Sequence, residues 1–168
     1  MSTRQSIWMP AYVALGSNLD DPPGQLRSAC RALAALRESR LVTVSAFYGN
    51  PPLGSVVQPD FVNAVAGLLT GLSAADLLDE LQRIERAQGR QPDTGVRWGP
   101  RPIDLDLLMH GQTRCSQAQL TLPHPGIAER NFVLFPLLEI APHADIPGQG
   151  SVAGLAGRLD RGQLVPVA

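Results

Sequence analysis

Apolar residues in this chain change period in a fixed order, and that order limits the fold more than any single motif. A short apolar run at 12–16 ends in Gly-Ser-Asn and reads as a strand stopped by a turn. Asp20, Asp21 and Pro22 form a helix entry, after which Leu26, Ala29, Cys30, Leu33 and Leu36 recur at helical spacing. Val42, Val44, Ala46 and Tyr48 alternate over 41–48, and 61–70 is a second β-rich run. Ser73 with Asp76 starts a second helix, whose stripe runs through Leu77, Leu78, Leu81, Ile84 and Gln88 to a stop at Gly89. Residues 103–109 form a last strand and 132–140 a further helix. Strand, helix, strand, strand, helix, strand is the split βαβ order of ferredoxin-like folds. The expected class is α+β: a βαββαβ core forming an open antiparallel sheet with helices packed on one face, elaborated after residue 110.

With 168 residues the chain fits one domain. Residues 1–10 read as a flexible leader and 11–168 as a single catalytic domain. Hydrophobic residues make up 44% and charged residues 17%, enough for one core and too apolar for a disordered chain. A formal net charge of -1 gives no global attraction to nucleic acid or anionic lipid, so neither is expected as a partner. All fourteen basic residues are arginine. The absence of lysine removes a Walker-A lysine, a kinase strand lysine and Schiff-base chemistry, so any phosphate must be handled by arginine. Two cysteines, Cys30 and Cys115, are too few for a disulfide framework or a cysteine-built zinc site, and Cys30 falls on an apolar helix face. No run is long enough to span a membrane and the start lacks a signal peptide's apolar stretch, so the expected compartment is the cytoplasm. A monomer is expected, although nothing in the residues fixes the oligomeric state.

The strongest local signal is Arg97-Trp98-Gly99-Pro100-Arg101-Pro102-Ile103-Asp104-Leu105-Asp106. On a strand, Asp104 and Asp106 point to one face with Cα atoms about 6–7 Å apart, while Ile103, Leu105 and Leu107 enter the core. Two such carboxylates repel unless a cation lies between them, and magnesium takes oxygen ligands of this kind with substrate phosphates completing its shell. Arg83, Arg86, Arg90, Arg97 and Arg101 fall within one short stretch beside the pair. They suit either a surface salt-bridge network or a polyphosphate site with metal on one side and guanidinium groups on the other. Phe61 and Asn63 share a strand face, where an aromatic ring can stack on a flat heterocycle and an amide can read its edge. Pro123-His124-Pro125 holds a histidine in extended or turn geometry, followed by Arg130-Asn131-Phe132. His110 and His143 lack such context and read as surface residues.

These segments together resemble the 6-hydroxymethyl-7,8-dihydropterin pyrophosphokinase family over about residues 11–147. The resemblance rests on Ala14-Leu15-Gly16-Ser17-Asn18, Pro51-Pro52-Leu53-Gly54, Gln58-Pro59-Asp60-Phe61-Val62-Asn63, Gln82-Arg83-Ile84-Glu85, the run from Arg97 to Asp106, and Pro123-His124 with Arg130-Asn131-Phe132. It implies transfer of pyrophosphate from ATP to the hydroxymethyl oxygen of the pterin in folate biosynthesis, with release of AMP. Two magnesium ions would lie on Asp104 and Asp106. The pterin would be sandwiched between Phe61 and Phe132 and read by Asn63 and by the backbone around Asn50 and Leu53. Gln82, Glu85, Arg101, Leu107, Thr121 and His124 are implied as ATP contacts and Arg130 as a further phosphate-side residue. Arg90 and Arg97 would belong to a mobile catalytic loop, and residues 89–97 to a lid over the phosphates. The chain departs from the family pattern at Pro92, where a second loop arginine is usual, and at Pro125, where a tyrosine often stands. Three other readings of the residues are an RNA-binding ferredoxin-like module, which the acidic strand opposes, another metal-dependent nucleotidyl or nucleotide-sugar transferase, which leaves the Phe61/Asn63 face unused, and a carboxylate-pair glycosidase, in which the arginine cluster has no role.

Overall fold

The computed structural model describes residues 6–91 and 99–167. In chain order the elements are β1 (Met9–Ser17), α1 (Pro22–Ala34), β2 (Ser39–Val44), β3 (Phe47–Asn50), β4 (Phe61–Thr70), α2 (Ala74–Ala87) and β5 (Asp104–His110). There follow β6 (Cys115–Ser116), β7 (Thr121–Leu122), α3 (Asn131–Ile140), β8 (Asp145–Ile146), β9 (Gly150–Ser151), α4 (Val152–Ala156) and β10 (Val165–Val167).

Local chemistry sets the boundaries. Asp21 caps α1, its Oδ1 accepting the Gly24 N–H at 3.4 Å, and prolines fill the first turn, where no N–H is needed. Leu26, Ala29 and Leu33 are the buried stripe, and the helix stops at Ala34, short of Leu36. Ser73 caps α2 by accepting the Asp76 N–H at 3.1 Å while its hydroxyl donates to Asp76 Oδ2 at 2.8 Å. Beyond the helix Gly89 takes a φ of 92°, a left-handed conformation that a side chain would oppose. β1 starts at Met9, inside the stretch read as a leader, because Met9 and Pro10 pair with Thr70 and Leu69 of β4.

The main sheet runs β10-β3-β4-β1-β5, with β2 also paired to β4, and all its pairings are antiparallel. The single strand expected at 41–48 is two, lying end to end along one edge of β4. The break falls at Ser45–Ala46: Ser45 Oγ accepts the Val65 N–H at 3.0 Å, and the Ala46 N–H turns away to donate to Glu139 Oε1 at 2.9 Å. With β2 and β3 counted as one edge, the order matches the ferredoxin-like βαββαβ core.

Strand alternation sends Ala11, Val13, Leu15, Val62, Ala64, Ala66, Leu68, Leu105 and Leu107 to the face covered by α1 and α2. The opposite face is covered too, contrary to expectation. α3 packs there, burying Val133, Leu134 and Leu137 against Val65, Leu108 and Met109. Only Asn131 and Glu139 are polar in α3, which suits a helix buried on most sides. His110 is also buried rather than exposed; its Nε2 lies 2.8 Å from the Leu72 carbonyl, whereas His143 is exposed as expected. Cys30 is only partly buried, at the margin of the α1/α2 core. Among the described residues no helix is long and apolar enough to cross a membrane.

Candidate active site

Register assembles the site. Gly16 near the end of β1 pairs with Asp104 on one side and Asn63 on the other, and Ala14 likewise lies between Asp106 and Val65. Since successive side chains alternate, Asp104, Asp106, Phe61 and Asn63 all stand on the α3 face of the sheet. β3 completes the row, Asn50 opposite Phe61 and Tyr48 opposite Asn63. Phe132 and Val133, in the first turn of α3, form the facing wall. One cleft is therefore lined by Asn50, Leu53, Phe61, Asn63, Arg101, Asp104, Asp106, Arg130 and Phe132, every pterin residue implied by the sequence together with both carboxylates.

The aromatic half of this cleft depends on an amide pair and a glycine. Asn63 Nδ2 donates to Asn50 Oδ1, and Asn50 Nδ2 donates to the Pro51 carbonyl at 3.0 Å, so both amides are held from within. Gly16 leaves the floor open, because a Cβ there would lie 2.7 Å from Asn63 Oδ1 and 3.9 Å from Phe61 Cδ1. Asn18 is buried and ties two loops together: its Nδ2 donates to Gln58 Oε1 at 2.9 Å and to the Pro59 carbonyl at 3.0 Å, while its Oδ1 accepts the Arg101 N–H at 3.0 Å. Gly16 and Asn18 were missed as site residues by residue type alone; their signal was their place at the end of a strand that faces Asp104.

The charged half is organised by Glu85. Its carboxylate is buried and accepts the Leu105 N–H at 2.7 Å, which fixes α2 to the strand carrying the acidic pair. Arg90 Nη1 donates to Glu85 Oε1 and to Asp104 Oδ1, each at 2.6 Å, and Arg101 Nη1 reaches Asp104 Oδ1 at 3.3 Å. Burial raises the Glu85 carboxyl above the usual range, against the Leu105 N–H and Arg90. Burial works against the Arg90 charge, but the Asp104 and Glu85 carboxylates outweigh it and hold the guanidinium above its ordinary value.

Asp106 is perturbed as well. Its side chain keeps 36% of its exposure but lies deep between two clefts, and burial followed by the Asp104 charge pushes it up to about 7, against Arg130. His124 Nε2 is 3.9 Å from Asp106 Oδ2. His124 Nδ1 accepts the Gly126 N–H at 3.0 Å, which assigns the proton of the neutral ring to Nε2, facing the aspartate. Burial and Arg130 lower His124 below its ordinary value, so the ring is neutral at pH 7. Arg130 caps α3 without a side-chain bond and packs on Gly126, where a Cβ would come within 2.5 Å of its Nε.

A second cleft on the other side of Asp106 is lined by Leu78, Leu107, Thr121, His124 and Pro125. Three of the implied ATP contacts thus gather around one carboxylate shared with the first cleft. Gln82 is not gathered: it is exposed on α2 and lines neither cleft. Arg97, Trp98 and most of the 89–97 segment lie outside the described residues. Among the described residues no group of three or more metal-ligating side chains occurs. A lone pair of carboxylates suits magnesium, an oxygen-seeking ion that keeps few protein ligands and completes its shell with substrate phosphates.

A ferredoxin-like sheet carrying an acidic pair, arginines beside it and an aromatic–amide cleft defines the class as a small phosphate-handling transferase. Comparison with known proteins narrows it: residues 12–142 match the sequence model of 7,8-dihydro-6-hydroxymethylpterin-pyrophosphokinase (HPPK), and the chain belongs to that family. It is a pyrophosphokinase. The chain is 48% identical over 145 residues to the 2-amino-4-hydroxy-6-hydroxymethyldihydropteridine pyrophosphokinase of Haemophilus influenzae, covering 86% of this chain and 89% of that one. It is 49% identical over 136 residues to the Pseudomonas aeruginosa protein of the same name, covering 81% and 83%. Among solved structures it resembles wild-type Plasmodium falciparum HPPK-DHPS with a TM-score of 0.70 at 12% identity, which concerns the fold alone. That match covers 93% of this chain and 42% of the other, so the chain spans less than half of that longer protein.

Proposed function

We propose that the chain transfers the pyrophosphoryl group of ATP to the hydroxymethyl oxygen of 6-hydroxymethyl-7,8-dihydropterin, in folate biosynthesis, with Asp104 and Asp106 as magnesium ligands. The observation that carries this is the register of β4, β1 and β5, which sets an aromatic–amide slot and a carboxylate pair side by side in one cleft. In the reaction an oxygen–phosphorus bond forms between the pterin hydroxymethyl and the β-phosphorus. The hydroxymethyl O–H bond and the bond from the β-phosphorus to the bridging oxygen break, the hydroxyl proton passes to solvent, and AMP leaves with the bridging oxygen.

Phosphoryl-type transfer needs alignment and charge neutralisation more than covalent help. Phe61 and Phe132 stack the pterin, Asn63 and Asn50 read its edge, and Leu53 closes the rim. The adenosine side takes the second cleft, against Leu107, Thr121 and His124, while Gln82 and Glu85 lie on α2 and line neither cleft. Two magnesium ions bound with ATP would neutralise phosphate charge, and Asp104 and Asp106 would hold them. The donor set fits: both ligands are carboxylates on one face of β5, the oxygen donors that magnesium prefers. Arg101 and Arg130 meet the phosphates from the cleft walls. Arg90, paired with Asp104, and Arg97 would bring further positive charge to the phosphates. Both walls of the cleft come from one chain, which supports a monomer as the working form.

The test is AMP formation from ATP in the presence and absence of 6-hydroxymethyl-7,8-dihydropterin and of magnesium. Turnover requiring both supports the reading. ATP consumption indifferent to the pterin would refute it.

A further inference from the structure

The two walls of the aromatic cleft belong to different parts of the fold. Phe132 hangs on α3, while Asn50, Phe61 and Asn63 sit on β3 and β4. The segment 160–167, beyond the residues matched by the family, grips both. On the α3 side the Arg161 carbonyl accepts Asn131 Nδ2 at 2.8 Å, one residue before Phe132. Gly162 makes this approach possible: at a φ of 60° it has no Cβ, and one there would lie 2.7 Å from Asn131 Nδ2. On the other side β10 pairs with β3, Val165 opposite Gly49 and Pro166 opposite Tyr48, directly beside Asn50. The Arg161 guanidinium stands between the walls, 5.3 Å from the Phe135 ring centroid on α3 and 5.8 Å from that of Tyr48 on β3. Tyr48 in turn donates its hydroxyl to Glu139 Oε2 of α3 at 2.6 Å.

The geometry points to segment 160–167 as a clasp that sets the spacing between Phe132 and the Phe61/Asn63 face, with Arg161 and Asn131 as positioning residues for the pterin. It rests on the pterin reading of the cleft. The interaction is local: these residues line neither cleft, and the acidic corner is held separately through Glu85 and Leu105. Loosening the clasp should therefore weaken a ligand that needs both walls and spare one that needs only the phosphate side. A tie that merely adds stability would show no such preference.

Two readouts separate the clasp from the reading beneath it. The first is hydrogen exchange of the free protein, wild type against Arg161→Ala and Arg161→Ala/Asn131→Ala. The clasp predicts faster exchange at residues 131–134 and 47–50, with 104–108 unchanged. The second is the Kd for 6-hydroxymethylpterin at saturating magnesium and α,β-methylene-ATP, with nucleotide affinity measured alone. Arg161→Ala should weaken the pterin about five-fold and the double variant about twenty-fold, with nucleotide within two-fold and Arg161→Lys near wild type because it keeps a cation over the rings. Wild-type protein that ignores the pterin while the exchange pattern changes would refute the function and leave the clasp. Wild-type protein that binds pterin, with both variants within two-fold of it or losing pterin and nucleotide equally, would overturn the clasp.

Discussion

Replacing Gly16 by alanine should close the aromatic half of the cleft and leave the acidic half working. A Cβ at this position would lie 2.7 Å from Asn63 Oδ1, roughly 0.6–0.9 Å short of an ordinary carbon–oxygen contact. Asn63 has little room to yield, because its Nδ2 is bound to Asn50 and its strand pairs on both sides. Displacing the amide forfeits a hydrogen bond to the pterin edge, about 0.5–1.5 kcal/mol, while the crowding lowers the stability of the fold in free and bound protein alike. The lost contact corresponds to roughly 2- to 13-fold in Kd. The assay is calorimetric titration with 6-hydroxymethylpterin at saturating magnesium and α,β-methylene-ATP, beside a titration with the nucleotide alone. Nucleotide affinity should stay within about two-fold, since the three atoms nearest the new carbon belong to Asn63 and Phe61. Unchanged pterin affinity would refute the placement of the pterin over Gly16.

Asp106→Asn should abolish most turnover and yet stabilise the metal-free protein. The folded carboxyl titrates near 7, above its ordinary value, so wild type loses stability relative to the asparagine variant as pH rises from about 4 to about 7. Melting curves should show the gap widen over that range and then flatten; a gap that shrinks would contradict the burial argument. Phe132→Ala should weaken pterin binding by roughly 1–3 kcal/mol and nucleotide binding far less, read by the same titrations. Equal losses would make Phe132 a core residue. Arg90→Ala should lower the single-turnover rate about ten-fold or more, with smaller effects on either Kd, in a rapid-quench experiment; an unchanged rate would confine Arg90 to its pairing with Glu85 and Asp104.

The core was legible where local chemistry and tertiary demand agree. β4 covers 61–70 as its β-rich run implies, and α2 begins after the Ser73 cap. The break between β2 and β3 was not legible, because apolar alternation continues through Ser45–Ala46 and only Glu139, far along the chain, draws the backbone aside. Nor was β10, three residues including a proline, which exists because β3 offers an edge. α3 read as a helix, but its near-uniform apolarity gave no face, and so not its place on the second side of the sheet. In the site, the parity of Asp104 and Asp106 follows from a two-residue period. The Asn50–Asn63 pair and the Glu85–Arg90–Asp104 chain do not, since each joins elements that meet only through folding. His110 misled because a lone histidine at a strand end carries no mark of the carbonyl that Leu72 brings to it.

On the proposed reaction, one cleft aligns the pterin hydroxymethyl with the β-phosphorus of ATP. Transfer from ATP labelled separately at the β- and γ-phosphorus decides whether it does. Both labels should arrive together on the pterin in equal amount, with unlabelled AMP as the other product. Transfer of the γ-label alone, with ADP left behind, would contradict the account.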